Sequence, residues 1–418
     1  MLLRRCPPER FFMERKIPLN IFLIIGQSNA YGTYDVPEGR DEWDFRCEQM
    51  KDAVLPEPGT VFCLDVDNVG GMGDIYDLSS GRPGFSPALG KRWYELTGER
   101  TVMLQTAVGG APIESWLKPE DGKRYTYGDP RSNFYETTLA GFRRIKEQLL
   151  VPGSQYCLNR VFAFWLQGET GMSNTYYPDK DGAGIGNWEF GDTSGLITDA
   201  EYYRDFMKIR QYLKEDFGCS FTGILLVRAV RETVSEESLK LGLYTDLVPV
   251  RAAQYAINRT TGPDTAIVSR VCDTARSTSY PDKTAPGYGL MGCNDLHYTQ
   301  KGHNANGIAA AENTYAHLFG TTEAGDIEII APDGRKRFAD GDTVSLRPGE
   351  AVRTAAAVLP LYTGTPELEY ISSDSSVFTA DVFGTLTAAP GTEGKTAVLT
   401  VKCPAAGLIK KLNVAVGK

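Results

Sequence analysis

Ile21-Phe22-Leu23-Ile24-Ile25-Gly26-Gln27-Ser28-Asn29 decides how the rest of the chain is read. Five consecutive apolar side chains, three of them isoleucine, suit a strand buried on both faces, as in a parallel sheet covered by helices. Gly26 stops the run, and a turn of amide and hydroxyl side chains follows. Moving outward, apolar runs alternate with helical periods up to about residue 320. Ser86–Leu96 reads as an amphipathic helix and Thr101–Val108 as a strand ended by Gly109-Gly110. Asn133–Leu150 carries Leu139, Phe142, Ile145 and Leu149 on one helical stripe. Val161–Leu166 is a buried strand that stops at Gln167-Gly168-Glu169. Helix Glu201–Phe217, strand Thr222–Val227, helix Val250–Arg259, strand Thr265–Val271 and helix Lys301–Leu318 complete the series. This alternation predicts an α/β fold of three layers, with a mostly parallel sheet between helices. Ligands of such sheets bind beyond the carboxyl ends of the strands. Three of these strands end in polar, glycine-containing turns, so those turns are the first place to look for chemistry.

The pattern changes after residue 322. Eight short β-type runs follow, among them Asp326–Ile330, Val352–Leu359, Leu368–Ser372, Ala397–Lys402 and Ile409–Val416, separated by Gly, Pro, Asp and Ser turns. They predict a β-sandwich of about 90 residues. The expected organisation is an N-terminal arm over 1–18, an α/β domain over 19–322 and a β-sandwich over 323–418. Gly171 to Gly195 is a long Gly/Asp/Tyr-rich insertion, of the kind that forms lids or mobile loops.

Composition narrows the function classes. The 418 residues hold 44 Lys+Arg against 53 Asp+Glu, a formal net charge of −9, which disfavours a nucleic-acid or anionic-membrane partner. No apolar run reaches the ~20 residues of a membrane span. The eight cysteines form no Cys-x-x-Cys pair, and the three histidines form no zinc pattern, so neither a structural nor a catalytic zinc site is expected. Arg4, Arg5, Arg10, Arg15 and Lys16 imitate the basic region of an export signal. The apolar stretch after them, Ile21 to Ile25, is shorter than the ~7–15 residues of a signal core. Met13 is an alternative start, and the compartment is left open between cytoplasm and export.

Ser28 directly follows the first strand, where its hydroxyl would project at the sheet edge beside unpaired backbone N–H groups. His297, in Cys293-Asn294-Asp295-Leu296-His297-Tyr298, is the first choice among the three histidines for a base, with Asp295 two residues away. Glu169 can orient a histidine, act as acid or base, or cap a segment. Gln167 and the Gly110 N–H are candidate donors to an oxyanion. Taken singly, each residue has an ordinary structural reading as turn former, cap or core; their order along the chain is more informative.

Gly26-Gln27-Ser28-Asn29, Gly109-Gly110 with Trp116, Gln167-Gly168-Glu169 and Asp295-Leu296-His297 occur in the order of the blocks of the SGNH hydrolase superfamily. More narrowly, residues 20–320 resemble the sialate O-acetylesterase and acetylxylan esterase group of carbohydrate esterases. The resemblance implies a flavodoxin-like α/β/α domain and a serine esterase without metal or cofactor. It also implies Ser28 as nucleophile, His297 as base, and the N–H groups of Ser28 and Gly110 with the Gln167 side chain as oxyanion hole. The superfamily usually places the acid three residues before the histidine, which is Asn294 here, so Asp295 is taken as the acid and Glu169 second. Gln27, Asn29, Trp116 and Arg251 are the expected substrate contacts, with Tyr176, Tyr177 and Trp188 as further rings for a sugar face. The tail resembles bacterial immunoglobulin-like group 2 domains through Val344–Pro348 with Gly349, Val358-Leu359-Pro360, Ser372 to Val377 and Phe383 to Ala388. Its expected role is a spacer. The expected activity is removal of O-acetyl groups from a sugar or glycan of sialic acid or xylan type. Three alternatives stand beside it: an esterase or thioesterase acting on lipid acyl groups, a non-catalytic carbohydrate-binding or adhesion protein, and a glycosidase using Glu169 and Asp295 as its carboxylate pair.

Overall fold

The computed structural model describes the chain apart from residues 1–15, 67–70, 122–132, 170–196, 229–247, 321–322, 332–335, 364–366 and 418. Its centre is strand β1 (Ile17–Gly26), in which every residue from Leu19 onward is buried. β2 (Val61–Asp65), β3 (Tyr76–Asp77), β4 (Arg100–Gln105), β5 (Tyr156–Leu166), β6 (Phe221–Leu225) and β7 (Thr265–Ser269) join it in one sheet of order β3-β2-β4-β1-β5-β6-β7. All neighbours run parallel except the β2–β3 pair. Helices α1 (Ser28–Tyr31), α2 (Glu42–Met50), α3 (Ser86–Thr97), α4 (Phe134–Leu149), α5 (Asp199–Phe217), α6 (Val248–Thr260), α7 (Val271–Thr274) and α8 (Gln300–Phe319) fill the connections. Successive side chains of a strand point to opposite faces. Phe22 and Phe162 accordingly meet Trp93 of α3 on one face, while Trp165 meets Tyr202 and Phe206 of α5 on the other. α3 and α8 approach so closely that a Cβ at Gly307 would lie 2.4 Å from the Phe85 carbonyl oxygen.

The three layers match the sequence expectation, but the strand order does not match a flavodoxin. Taken in chain order, the parallel strands run 2-3-1-4-5-6, whereas flavodoxin-like sheets run 2-1-3-4-5. The chain fills one side of β1 first and then crosses to β5. The switch point therefore lies between β1 and β5, at whose carboxyl ends stand the Gly26–Asn29 and Gln167–Glu169 turns.

Two further differences concern the N-terminal part. β1 begins at Ile17, inside the expected arm; Asn20 interrupts its apolar run yet fits, because its side chain donates to Glu99 Oε2 (3.1 Å) and accepts from Asn159 (3.1 Å). β2, β3 and α2 were not expected. β2 is only five residues long, and α2 buries none of its side chains, so neither carries a strong hydrophobic period.

Beyond Gly325 the described residues form ten strands, from β8 (Asp326–Ile330) to β17 (Leu408–Val416), in a four-stranded and two three-stranded sheets. This β unit has its own core, including Ile329, Ala356, Val358, Phe378, Leu399 and Val414. Ile330 and Ala357, the alternate residues of β8 and β12 (Ala355–Leu359), belong instead to the core of the α/β domain. The small sheet of β12, β8 and β9 (Arg337–Phe338) is thus buried on both faces and shared by the two units.

Candidate functional site

Three turns at the carboxyl ends of β1, β4 and β5 are tied together by their backbones. Gln27 N–H donates to Leu166 O (3.1 Å), and Val108 N–H donates to Gly26 O (2.9 Å). Gly26 has φ +144°, and a Cβ there would lie 2.0 Å from the Leu166 carbonyl oxygen, so only glycine fits. Ser28 opens the single-turn helix α1 and is half-buried between Gln27 and Asn29, each 2% exposed. The N–H groups of Ser28 and Gly110 make no hydrogen bond among the described residues. Gly110, at φ +69°, precedes Ala111, whose carbonyl accepts from Gln167 Nε2 at 3.2 Å. One N–H of the Gln167 amide is thereby used and its direction set.

Asn29 connects this cluster to the last loop of the domain. Its Nδ2 donates to Glu169 Oε1 (3.1 Å) and to Leu296 O (3.1 Å), and its Oδ1 accepts from Tyr298 N–H (3.1 Å). One side chain thus holds the residues on either side of His297 against the Ser28 turn.

The imidazole of His297 finds its partner in a residue the sequence reading had not considered. Nδ1 lies 2.8 Å from Asp35 Oδ1, while Asp35 Oδ2 accepts from the N–H groups of Leu296 (3.1 Å) and His297 (3.2 Å). Asp35 is 4% exposed. Burial alone would raise its pKa, but the bonds from His297 and from the two backbone N–H groups prevail and hold the carboxyl below its usual value. Asp295, expected as the acid, turns its carboxylate onto the guanidinium of Arg228. Both are nine-tenths buried, and Asp295 takes a left-handed φ of +57°. Its structural contribution is therefore to pin the loop that presents His297. Glu169 is buried with Oε1 on Asn29 and Oε2 without a partner among the described residues, and burial pushes its pKa up. As a glycosidase pair these two carboxylates are ill placed, one held on an arginine and the other buried under Asn29.

The other expected contacts divide similarly. Gln27 Oε1 accepts from Gly168 N–H (3.2 Å), so Gln27, like Asn29, braces the site from beneath rather than facing a ligand. Trp116 is 2% exposed and packs between Phe134 and Trp165, with ring centroids 5.4 and 6.1 Å away; it is core, not a sugar platform. Arg251 is also buried, paired with Asp273 and donating to Val227 O (3.0 Å). Arg270 extends that cluster to Glu328 on β8 through two bonds of 2.7 and 2.8 Å. Tyr176, Tyr177, Trp188 and the insertion around them lie outside the described residues. Of the other histidines, burial drives the pKa of His303 down to about 3, leaving it neutral, and His317 sits between the carbonyls of Tyr362 and Pro263.

Asp35 lies seven residues after Ser28, and a signal for it exists in hindsight at Gly292. A Cβ on Gly292 would come within 2.6 Å of Asp35 Cβ, and Gly292 N–H bonds back to His297 O (2.7 Å). The glycine lets the histidine hairpin close over the aspartate.

No protein-family model and no curated protein matches the chain. Among solved structures, it is similar to a protein from Arabidopsis thaliana, at 16% identity and a TM-score of 0.42, covering 71% of this chain and 98% of the other. A carbohydrate acetylesterase from Xanthomonas citri aligns at 12% identity and TM-score 0.41 over 94% of this chain and 79% of its own. A carbohydrate esterase family 2 enzyme with a carbohydrate-binding domain, from Corynascus thermopiles (Myceliophthora fergusii), aligns at 12% identity and TM-score 0.31, over 75% of this chain and 68% of its own.

Proposed function

We propose that the chain is a serine-dependent carbohydrate O-acetylesterase in which Ser28, His297 and Asp35 form the triad. The observation that carries this reading is the clamp of Asn29. The residue next to the nucleophile grips both neighbours of His297, while Asp35 holds its Nδ1 at 2.8 Å. With Nδ1–H donated to Asp35, Nε2 is the free base. It takes the Ser28 proton as the hydroxyl attacks an acetyl carbonyl, and returns it to the departing sugar oxygen. Water then repeats the sequence and releases acetate. The N–H groups of Ser28 and Gly110 and the second N–H of Gln167 receive the oxyanion, each worth roughly 3–4 kcal/mol at comparable sites. Asp35, ionised by its bonds, stabilises the imidazolium that forms. The acetylated sugar of sialic acid or xylan type, the SGNH assignment, the spacer role of the tail and its immunoglobulin-like character rest on the sequence resemblance. Acetate release from an aryl acetate and from an acetylated oligosaccharide, by the parent and by Ser28→Ala, tests the reading. A fall of several orders of magnitude in the variant is expected. Equal activity in both would remove Ser28 as nucleophile, and inactivity of a folded parent would favour a binding module.

A further inference from the structure

Beside the Ser28 turn the surface opens into a cavity of about 540 Å³, lined by Tyr31, Arg46, Asp65, Met72, Arg82 and Pro83 among others. Tyr31 is the third residue after Ser28 in α1, and Asp65 ends β2. The cavity therefore sits at the carboxyl edge of the sheet, one helical turn from the nucleophile. Arg82 is 5% exposed. Its Nε donates to Asp65 Oδ1 (2.8 Å) and its Nη1 to Tyr31 O (2.9 Å) and Pro83 O (2.8 Å). These bonds fix the guanidinium plane, with the Tyr31 ring centroid 5.3 Å from its carbon, and Nη2 makes no hydrogen bond among the described residues. Arg82 lines the cavity, so a group entering it can accept from the Nη2 edge, and a charged acceptor makes the stronger bond.

The side chains around it restrict what that acceptor is. Both Asp65 oxygens already accept, from Arg82 and from the Tyr76 hydroxyl at 2.6 Å. The polar side chains then offer donors and little acceptance, which suits a carboxylate better than a hydroxyl that must also donate. Arg46 adds a second guanidinium from α2, paired on its outer side with Glu42 (2.8 Å). Among the described lining residues two arginines stand against one aspartate, so donors outnumber acceptors there.

We propose that this cavity is a subsite for a carboxylate-bearing sugar next to the acetylated ring, so that the substrate is an acetylated acidic glycan of uronate type. The proposal rests on the esterase reading. It is tested with an acetylated uronic-acid oligosaccharide and the same oligosaccharide with its carboxyls methyl-esterified, following acetate release. The parent is expected to favour the free acid by about tenfold or more in kcat/KM, carried by KM and shrinking as salt is added. The ratio is expected to approach one in Arg82→Gln and to fall in Arg46→Gln, a half-exposed position that keeps the test alive where Arg82→Gln does not fold. Equal kcat/KM for the two forms in the parent, or an undiminished preference in Arg46→Gln and a folded Arg82→Gln, overturns the subsite. Acetate release from neither form nor from an aryl acetate overturns the esterase reading itself, and the subsite with it.

Discussion

Replacing Asp35 and Asp295 by asparagine separates the residue that serves His297 from the residue that holds its loop. In Asp35→Asn the side-chain oxygen can still accept from the N–H groups of Leu296 and His297, which now bond to Oδ2 at 3.1 and 3.2 Å. The amide nitrogen then faces His297 Nδ1 at the 2.8 Å position and donates to it. That places the imidazole proton on Nε2, the wrong nitrogen for a base, and removes the anion that stabilises the imidazolium. The comparable change in a serine-protease triad costs about 10⁴ in kcat; a loss of about 10³–10⁴, or about 4–5.5 kcal/mol of transition-state stabilisation, is expected here. Asp295→Asn acts differently. Asparagine tolerates the +57° φ, so the turn persists, but the buried Arg228 loses its counter-charge. Removing one partner of a buried pair costs about 3–5 kcal/mol of stability. The assays are kcat and KM on an aryl acetate, together with thermal unfolding of each variant. A lower melting temperature with kcat within about tenfold is expected for Asp295→Asn, and the reverse for Asp35→Asn. If Asp35→Asn keeps its kcat while Asp295→Asn loses three orders of magnitude, the Asp35 contact is incidental and the reasoning fails.

Three other outcomes are expected. Because burial raises the Glu169 pKa, ionising it costs stability in the folded state; that cost is absent below about 4.5 and grows as pH rises through the folded value. Glu169→Gln retains an acceptor for Asn29, so its melting temperature should pull above the parent's as pH increases, and parallel curves would refute the assignment. Gly292→Ala would drive a methyl to 2.6 Å from Asp35 Cβ and displace the carboxylate, lowering kcat about 10²-fold with KM little changed; an unaltered kcat would contradict the tight closure. Glu328→Gln weakens the pair with Arg270, which keeps Asp273 as its other partner, and should cost about 1.5–3 kcal/mol in denaturant unfolding. An unchanged unfolding midpoint would show that this ion pair does not hold the two units together.

The layers were legible because their signal is dense. β1 and β5 hold unbroken apolar runs over Ile21–Ile25 and Val161–Leu166, and the helices between the strands carry an apolar stripe, so burial on two faces or one can be read from spacing alone. The elements that escaped were those whose stability comes from elsewhere. α2 buries nothing of its own, and β3 is two residues long, held by pairing with β2. The seam between the units escaped for another reason. β12 is a short run of apolar residues, Ala355 to Leu359, and nothing local shows that Ala357 joins the core of the other unit rather than facing water. Arg251 and Glu328, likewise, look like surface charges until Asp273 and Arg270 are placed between them.

The site was legible where its chemistry is confined to a strand end and opaque where two loops meet. Ser28, Gln167 and Gly110 each follow a recognisable strand, and the sheet then fixes them near the switch point. The acid could not be found this way. A rule that places it beside the histidine in sequence assumes that the loop supplies its own carboxylate, and Asp295 satisfies that assumption. Yet a carboxylate two residues away on a left-handed turn points where the turn sends it, here to Arg228. Asp35 reaches His297 because the segment after α1 runs under the histidine hairpin, and Gly292 leaves it room. On the proposed reading, the segment that carries Ser28 supplies both the acid, Asp35, and, through Asn29, the clamp on the loop that carries His297. A shift of that segment moves Ser28, Asp35 and the bracket around His297 together, which preserves their mutual geometry better than three independently anchored loops could.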